Sequence, residues 1–318
     1  NAKLYYLINT HTYPVVEHNP NIDEYVFYTQ EIKNSNVKFL KFIKHIRSEK
    51  FDTIIDVYGS TTSTLTCLFS SSKTTVAYHK SYTSFAYTKT IKRLLTPRNK
   101  ASLAIENRLK LLEPLNIKFK NYLPKIYLTD NEIKTAESVL EQNKISLKKP
   151  LFMISVLGSS PEKTYPFNYM ATLLDDIVSY NPDSQILFNY IPKQESEAKA
   201  IFNSCLKKTQ NRIFFSVFGK DLRSFLALTK KCNALIGNEG GANNMAKALG
   251  LPTLTIFSPY LNKANWFGEN ETSKHIAIHL SDYIEITKND IFEAKKNHNN
   301  YYLKLKPEFI KPQLTTFL

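Results

Sequence analysis

Short β-branched and aromatic runs alternate with amphipathic stretches of helical period along almost the whole chain. This alternation constrains the fold more than any other feature. Apolar strands separated by helices pair in parallel and are covered on both faces, so the pattern predicts an α/β protein with helices on either side of its sheets. In the first half the strand signals are "KLYYLI", "DTIIDVY", "KTTVAY" and "PKIYL", with helices expected over 37–48, 63–70 and 102–115. In the second half "LFMISVL", "QILFNY", "RIFFSV", "ALIG" and "TLTIF" alternate with helices expected over 168–180, 195–207, 222–231 and 241–249. The second half therefore reads as a doubly wound unit.

At 318 residues the chain exceeds what one core usually supports, which predicts two domains. The short polar segment "ISLKKP", residues 145–150, is the expected linker, giving domains over 1–147 and 148–318. Two doubly wound, Rossmann-type domains facing a central cleft would bind ligand at the carboxyl ends of their strands. The final segment, "NHNNYYLKLKPEFIKPQLTTFL", reads either as a tail packed over a domain or as a flexible extension.

Hydrophobic residues at 42% and charged residues at 22% fit a globular protein. The net charge of +14 raises nucleic acid or an anionic membrane as partners. The excess is almost all Lys, is spread along the chain, and accompanies abundant Asn, Ile, Tyr and Phe, as an AT-rich genome would also produce. No nucleic-acid motif accompanies it, so nucleic acid is not expected as a partner. Cys67, Cys205 and Cys232 have neither metal-ligand spacing nor an even count, and are expected as reduced core thiols. No apolar run is long enough to span a bilayer.

Three loops after predicted strands carry groups suited to an anionic or hydroxylated ligand. In "LGSSPEKTYP", Gly158, Ser159, Ser160 and Lys163 offer amide, hydroxyl and cationic donors, or alternatively form a polar loop capping the next helix. In "YIPKQESE", Glu195 could accept from ribose hydroxyls or could simply suit the dipole at a helix start. In "IGNEGGANNMAKALGLP", a chain with only eight Gly places two side by side between a strand and a helix. Gly240 and Gly241 would let main-chain amides approach a diphosphate, with Asn243 and Asn244 adding donors in the first turn. Glu239 would then point toward neutral hydroxyls or a backbone cap. The stretch matches neither a Walker loop nor a G-x-G-x-x-G fingerprint.

"NALIGNEGGANNMAKALGLPTLTIFSP" resembles the signature region of the ADP-heptose:lipopolysaccharide heptosyltransferase family, glycosyltransferases of GT-B architecture. Glu239 stands at the family's acidic position, Gly240 and Gly241 follow, Asn244 stands where His is usual, and "IFSP" replaces "FGP". "SSPEKTYP" resembles the donor-contacting loop and places Lys163 on its Lys. "FDTIIDVYGS", "ASLAIENRLKLLEPLNI" and "NPNIDEYVFY" resemble further family segments in the same order, and Trp266 falls where the family often has Trp.

The resemblance implies transfer of a heptose or related sugar from an ADP-heptose-like nucleotide donor to an anionic, lipid-linked lipopolysaccharide core saccharide. It also implies a cytoplasmic enzyme that works without metal or cofactor, with a peripheral seat on the inner membrane surface as an added expectation. The donor-binding set it implies is Gly158, Ser159, Ser160, Lys163, Glu195, Glu239, Gly240, Gly241 and Asn244. The family's general-base Asp lies on a loop after a first strand, and both are expected upstream of Asn1, ahead of "KLYYLI". No catalytic base is therefore assigned. Asp56 is set aside because its place in an apolar strand matches a structural position. Replacing His by Asn at 244 removes a titratable group, and Glu for Asp at 239 changes the reach to the donor sugar. Residues 80–100, where cations and aromatics interleave, read as either a solvated Lys-rich segment or a membrane-facing patch. A rival reading keeps the fold but makes the protein a non-catalytic binder of sugar nucleotides or saccharides.

Overall fold

The computed structural model describes residues 2–119, 123–271 and 274–318. The chain divides into two compact units, the second comprising Pro14–Asn19, Pro124–Lys263 and Glu271–Leu318, and the first the remainder.

In the first unit β1 (Tyr5–Asn9) pairs in parallel with β2 (Glu24–Tyr28), and β3 (Thr53–Asp56), β4 (Thr74–Tyr78) and β5 (Lys89–Ile91) form a separate parallel sheet. The helices expected over 37–48 and 63–70 appear as Asn36–Ser48 and Thr61–Phe69. Both begin at a serine whose hydroxyl accepts an N–H of the first turn, Ser35 from Lys38 and Ser60 from Ser63. The helix expected over 102–115 stops at Lys110 and resumes as a single turn of 3-10 helix, Glu113–Leu115, because Pro114 cannot continue the hydrogen-bond ladder.

The second unit is built on a five-stranded, all-parallel sheet. Its strands are β6 (Leu151–Ser155), β7 (Gln185–Phe188), β8 (Ala234–Asn238), β9 (Thr253–Ile256) and β10 (His275–Ile278). The spatial order is β10-β9-β8-β6-β7. Alternate residues serve opposite faces, as the pleat requires. Phe152 and Ile154 enter one core with Leu173, Ile177 and Ile201, whereas Leu151 and Met153 enter another with Leu140, Leu226 and Ala246.

Three expectations need correction. "PKIYL" is no strand: the Ile126 N–H donates to the carbonyl of Ala248 and Tyr127 O accepts from Arg223, so its partners are a helix end and a side chain. "RIFFSV" contributes one bridge, Ile213 to Ile186, before turning at Phe214–Val217. The units divide between Leu123 and Pro124, ahead of the 145–150 linker. The reason is that helix Asp130–Gln142 packs into the second unit's core through Ala136 and Leu140, and Ser146 exchanges two hydrogen bonds with Gln185. The final segment packs closely: helices His298–Tyr302 and Pro307–Phe317 bury Tyr302, Ile310 and Leu314. All three cysteines are buried and unbridged, and burial pushes the Cys67 and Cys205 thiols up to about 12.

Candidate functional site

In the second unit the chain leaves β6 toward β7 on one side, then returns past β6 and builds β8, β9 and β10 on the other. The strand order therefore reverses between β6 and β8. In an open parallel sheet the loops leaving two such strands diverge to opposite faces and leave a crevice at their carboxyl ends. Here those loops are 156–166, which carries Lys163, and 239–240, which leads through Gly240 into a helix that begins at Gly241.

The helix following β8, Gly241–Ala248, starts at Gly240 with no side-chain cap. Helices Thr61–Phe69, Asp130–Gln142 and Leu222–Lys230 each begin with a Ser, Thr or Asp side chain accepting a first-turn N–H. The helix after β8 thus keeps unsatisfied first-turn amides and the positive end of its dipole. Gly240 has φ 155°, a conformation closed to other residues, and a Cβ built there would meet nothing within 4 Å. Main chain and open space thus coincide, as close approach by an anion requires.

Glu239 and Lys163 face each other. The Lys163 ammonium lies 3.1 Å from Glu239 Oε1, an ion contact without hydrogen-bond alignment, with the carboxylate buried and the lysine half-buried. The loop presenting Lys163 is fixed from several directions. The Gly158 N–H donates to Thr164 Oγ1, Ser258 Oγ donates to Glu162 O, and the Lys163 N–H donates to Ser160 O. A Cβ on Gly158 would lie 2.3 Å from the Lys163 carbonyl, so this glycine serves close packing, and its amide is already engaged.

Buried Asn238 joins the two loops. Its Nδ2 donates to Ser155 O and Val156 O, and its Oδ1 accepts the Tyr165 N–H. Asn243, expected as a ligand donor, is buried, donates to Asn238 O and accepts from Thr255 Oγ1, so it braces the helix start. Asn244 is exposed on the first turn, as are Gly241 and Ser159. Glu195 is exposed at the first residue of helix Glu195–Ser204. The adjoining Gln194 is the residue that touches the first loop, donating to Gly158 O. Gly158, Ser159 and Ser160 line a cleft of about 430 Å³ with Lys193, Gln194 and Glu197, whereas Lys163, Glu195, Glu239, Gly240, Gly241 and Asn244 are not in its wall.

Two tyrosines absent from the expected set lie within electrostatic reach of Glu239. Tyr260, two residues past "IFS", lies in the field of Lys163 and Glu239; burial raises its phenol above the usual range, and Glu239 adds to that while Lys163 opposes it. Fully buried Tyr302, from the final segment, is raised chiefly by burial and also by Glu239. Only the tyrosine after "SP" hints at these in the sequence. In the first unit, buried Asp56 accepts N–H donors from Tyr58 and Gly59 on Oδ1 and the Tyr87 hydroxyl on Oδ2, which ties the loop after β3 to its strand.

The model of glycosyltransferase family 9 (heptosyltransferase) matches residues 39–296, most of the chain. The chain belongs to this family. A curated relative, lipopolysaccharide heptosyltransferase 1 of Campylobacter coli, is 26% identical over 162 residues, 51% of this chain and 45% of that protein. The match thus spans less than half of that relative's length. The solved family 9 glycosyltransferase of Veillonella parvula superposes with TM-score 0.80 at 17% identity, over 99% of this chain and 88% of its own. The E. coli ADP-heptose lipopolysaccharide heptosyltransferase II superposes at 0.68 with 16% identity, over 96% and 90%. At such identity these likenesses speak for the fold, and the expected α/β, GT-B-like class of this family 9 chain holds.

Proposed function

We propose that this family 9 protein transfers a heptose or related sugar from a nucleoside diphosphate donor to an anionic, lipid-linked core saccharide. The diphosphate would occupy the crevice between β6 and β8. The observation that carries this reading is the uncapped, glycine-started helix at the strand-order reversal, with Lys163 presented from the neighbouring loop. As the anomeric bond breaks, charge grows on the departing diphosphate, and fixed amides and an ammonium at that oxygen lower the barrier. The E. coli heptosyltransferase WaaC has been solved with ADP and with ADP-2-deoxy-2-fluoro heptose, which favours an adenine nucleotide here.

Glu239 has a second part in this reading. Without ligand it neutralises Lys163; with donor bound the ammonium turns to phosphate, and the carboxylate is released to accept from sugar hydroxyls. Ser159, Ser160 and Asn244 supply outer donors, and Glu195 or the cleft-lining Glu197 meets the ribose. A thermal-shift panel of ADP, UDP and GDP with their sugars tests the site. ADP or its heptose conjugate should raise the unfolding temperature by mass action. No shift from any of them at millimolar concentration would reject the reading.

A further inference from the structure

We propose that Tyr302, carried in by the final segment, is a positioning residue for sugar transfer: its hydroxyl takes over the Glu239 carboxylate when Lys163 turns to a diphosphate. This role rests on the donor site proposed above. Glu239 is only 6% exposed, and a carboxylate so buried is costly to leave without a donor once its ammonium has moved away. Even with the ammonium 3.1 Å away, Glu239 Oε1 accepts no hydrogen bond. Tyr302 Oη is the complementary atom, a donor enclosed in a fully buried residue and likewise without a hydrogen-bond partner. Folded interiors seldom leave polar atoms unpaired, so an unused donor and an unused acceptor in one neighbourhood call for a purpose.

Tyr165 brings the two together. Its N–H donates at 2.7 Å to Oδ1 of Asn238, the residue before Glu239, and its hydroxyl donates at 2.5 Å to the carbonyl of Leu305, just past Tyr302. The Tyr302 ring stands edge-on to the Tyr165 ring, with centroids 5.8 Å apart. The Tyr169 hydroxyl donates to Leu303 O at 3.3 Å, a second tie between helix Phe167–Tyr180 and the final segment. Ser258, just past β9, adjoins the Tyr302 hydroxyl, but its own proton is committed to Glu162 O and it makes no hydrogen bond to the phenol. Burial raises the Tyr302 phenol and the Glu239 charge adds to that, so the hydroxyl stays protonated and able to donate at neutral pH. A turn of the carboxylate away from Lys163 completes the exchange of one donor for another, with no proton transferred.

Two readouts on the full chain test this: unfolding temperature without ligand, and ADP affinity by calorimetry. Tyr302→Phe keeps the ring on Tyr165 and removes an unpartnered hydroxyl, so on its own it should leave the unfolding temperature unchanged. Added to Lys163→Ala, where Glu239 has lost its cation, it should lower that temperature by about 2–4 °C. ADP should bind Tyr302→Phe about tenfold more weakly than the parent, whereas in Glu239→Gln, which leaves no charge to be met, the added loss should be about twofold or less. Equal falls in unfolding temperature with and without Lys163→Ala would mark a packing role and overturn the proposal, as would equal losses of ADP affinity with and without Glu239→Gln. ADP affinity lowered by Lys163→Ala but not by Tyr302→Phe overturns this role alone, and ADP affinity indifferent to Lys163→Ala rejects the donor site and the role together. Should Tyr302→Phe fail to fold, infrared difference spectra on adding ADP carry the test. The tyrosine C–O band should shift in the parent and not in Glu239→Ala, and no shift in the parent overturns the proposal.

Discussion

At the residue scale, the proposed site turns on a lysine and a carboxylate that face each other at 3.1 Å and that, in this account, part when an anion binds. Lys163→Ala removes a charge-assisted contact and should weaken ADP binding about tenfold to a hundredfold by calorimetry, and it should also lower the unfolding temperature because the buried Glu239 carboxylate is left without its cation. Glu239→Gln should do the opposite to ADP, tightening it about threefold to tenfold because Lys163 is freed and a like charge is removed. Sugar transfer should nevertheless fall. Gly240→Ala meets no atom, yet places an L side chain at φ 155°, which should cost about 1–3 kcal/mol in unfolding measurements and fill the space proposed for phosphate. Much of this was legible before the fold was seen, since paired glycines in a glycine-poor chain mark a backbone need that no side chain meets. What could not be read was how each polar group is spent. Asn243 and Asn244 are indistinguishable in sequence, but one is buried against Asn238 and Thr255 and the other is exposed.

At the element scale, the crevice depends on β6 and β8 keeping their loops in register, and Asn238 is the tie. Asn238→Ala would orphan two buried carbonyls and the Tyr165 N–H, and should cost about 3–5 kcal/mol in denaturant unfolding. The outer strand adds a pH dependence. Burial, then Lys247 and Lys274, lower the His275 imidazole from 6.5 to about 4. Folded protein thus binds that proton less tightly than unfolded chain, so stability is full above pH 6.5 and falls as the pH drops toward 4. His275→Gln should flatten this part of the curve of unfolding temperature against pH. The strands β6, β8 and β9 were legible because both faces are apolar, leaving short continuous runs. β10 was not, because "HIAI" is too short and too polar at its start. Helix Asp130–Gln142 was missed although its Thr129–Glu132 capping box stands in the sequence.

At the scale of the whole molecule, the α/β class was legible from alternation alone, whereas the boundary between units was not. A polar, proline-ended segment reads as a linker, but contacts distant in sequence decide where a unit ends. Arg223 donates to Glu132 and to the carbonyls of Pro14 and Tyr127, tying residues 127–132 and the separate stretch at Pro14 to its own helix in the second unit. The same guanidinium holds the Glu132 carboxyl down at about 2. A fragment 124–318 should therefore unfold cooperatively, and 148–318 should be less stable by roughly 5 kcal/mol or more, having lost Ile126, Leu140 and Ile145 from its core. Circular dichroism melts of the two fragments make that comparison. The central claim, a diphosphate seat at the strand-order reversal, is tested most directly by a crystal structure of the protein with ADP-heptose. The account predicts phosphate oxygens within hydrogen-bond distance of Lys163 Nζ and the amides after Gly240, with Glu239 turned to the sugar. A diphosphate bound elsewhere, with Lys163 still against Glu239, would contradict it.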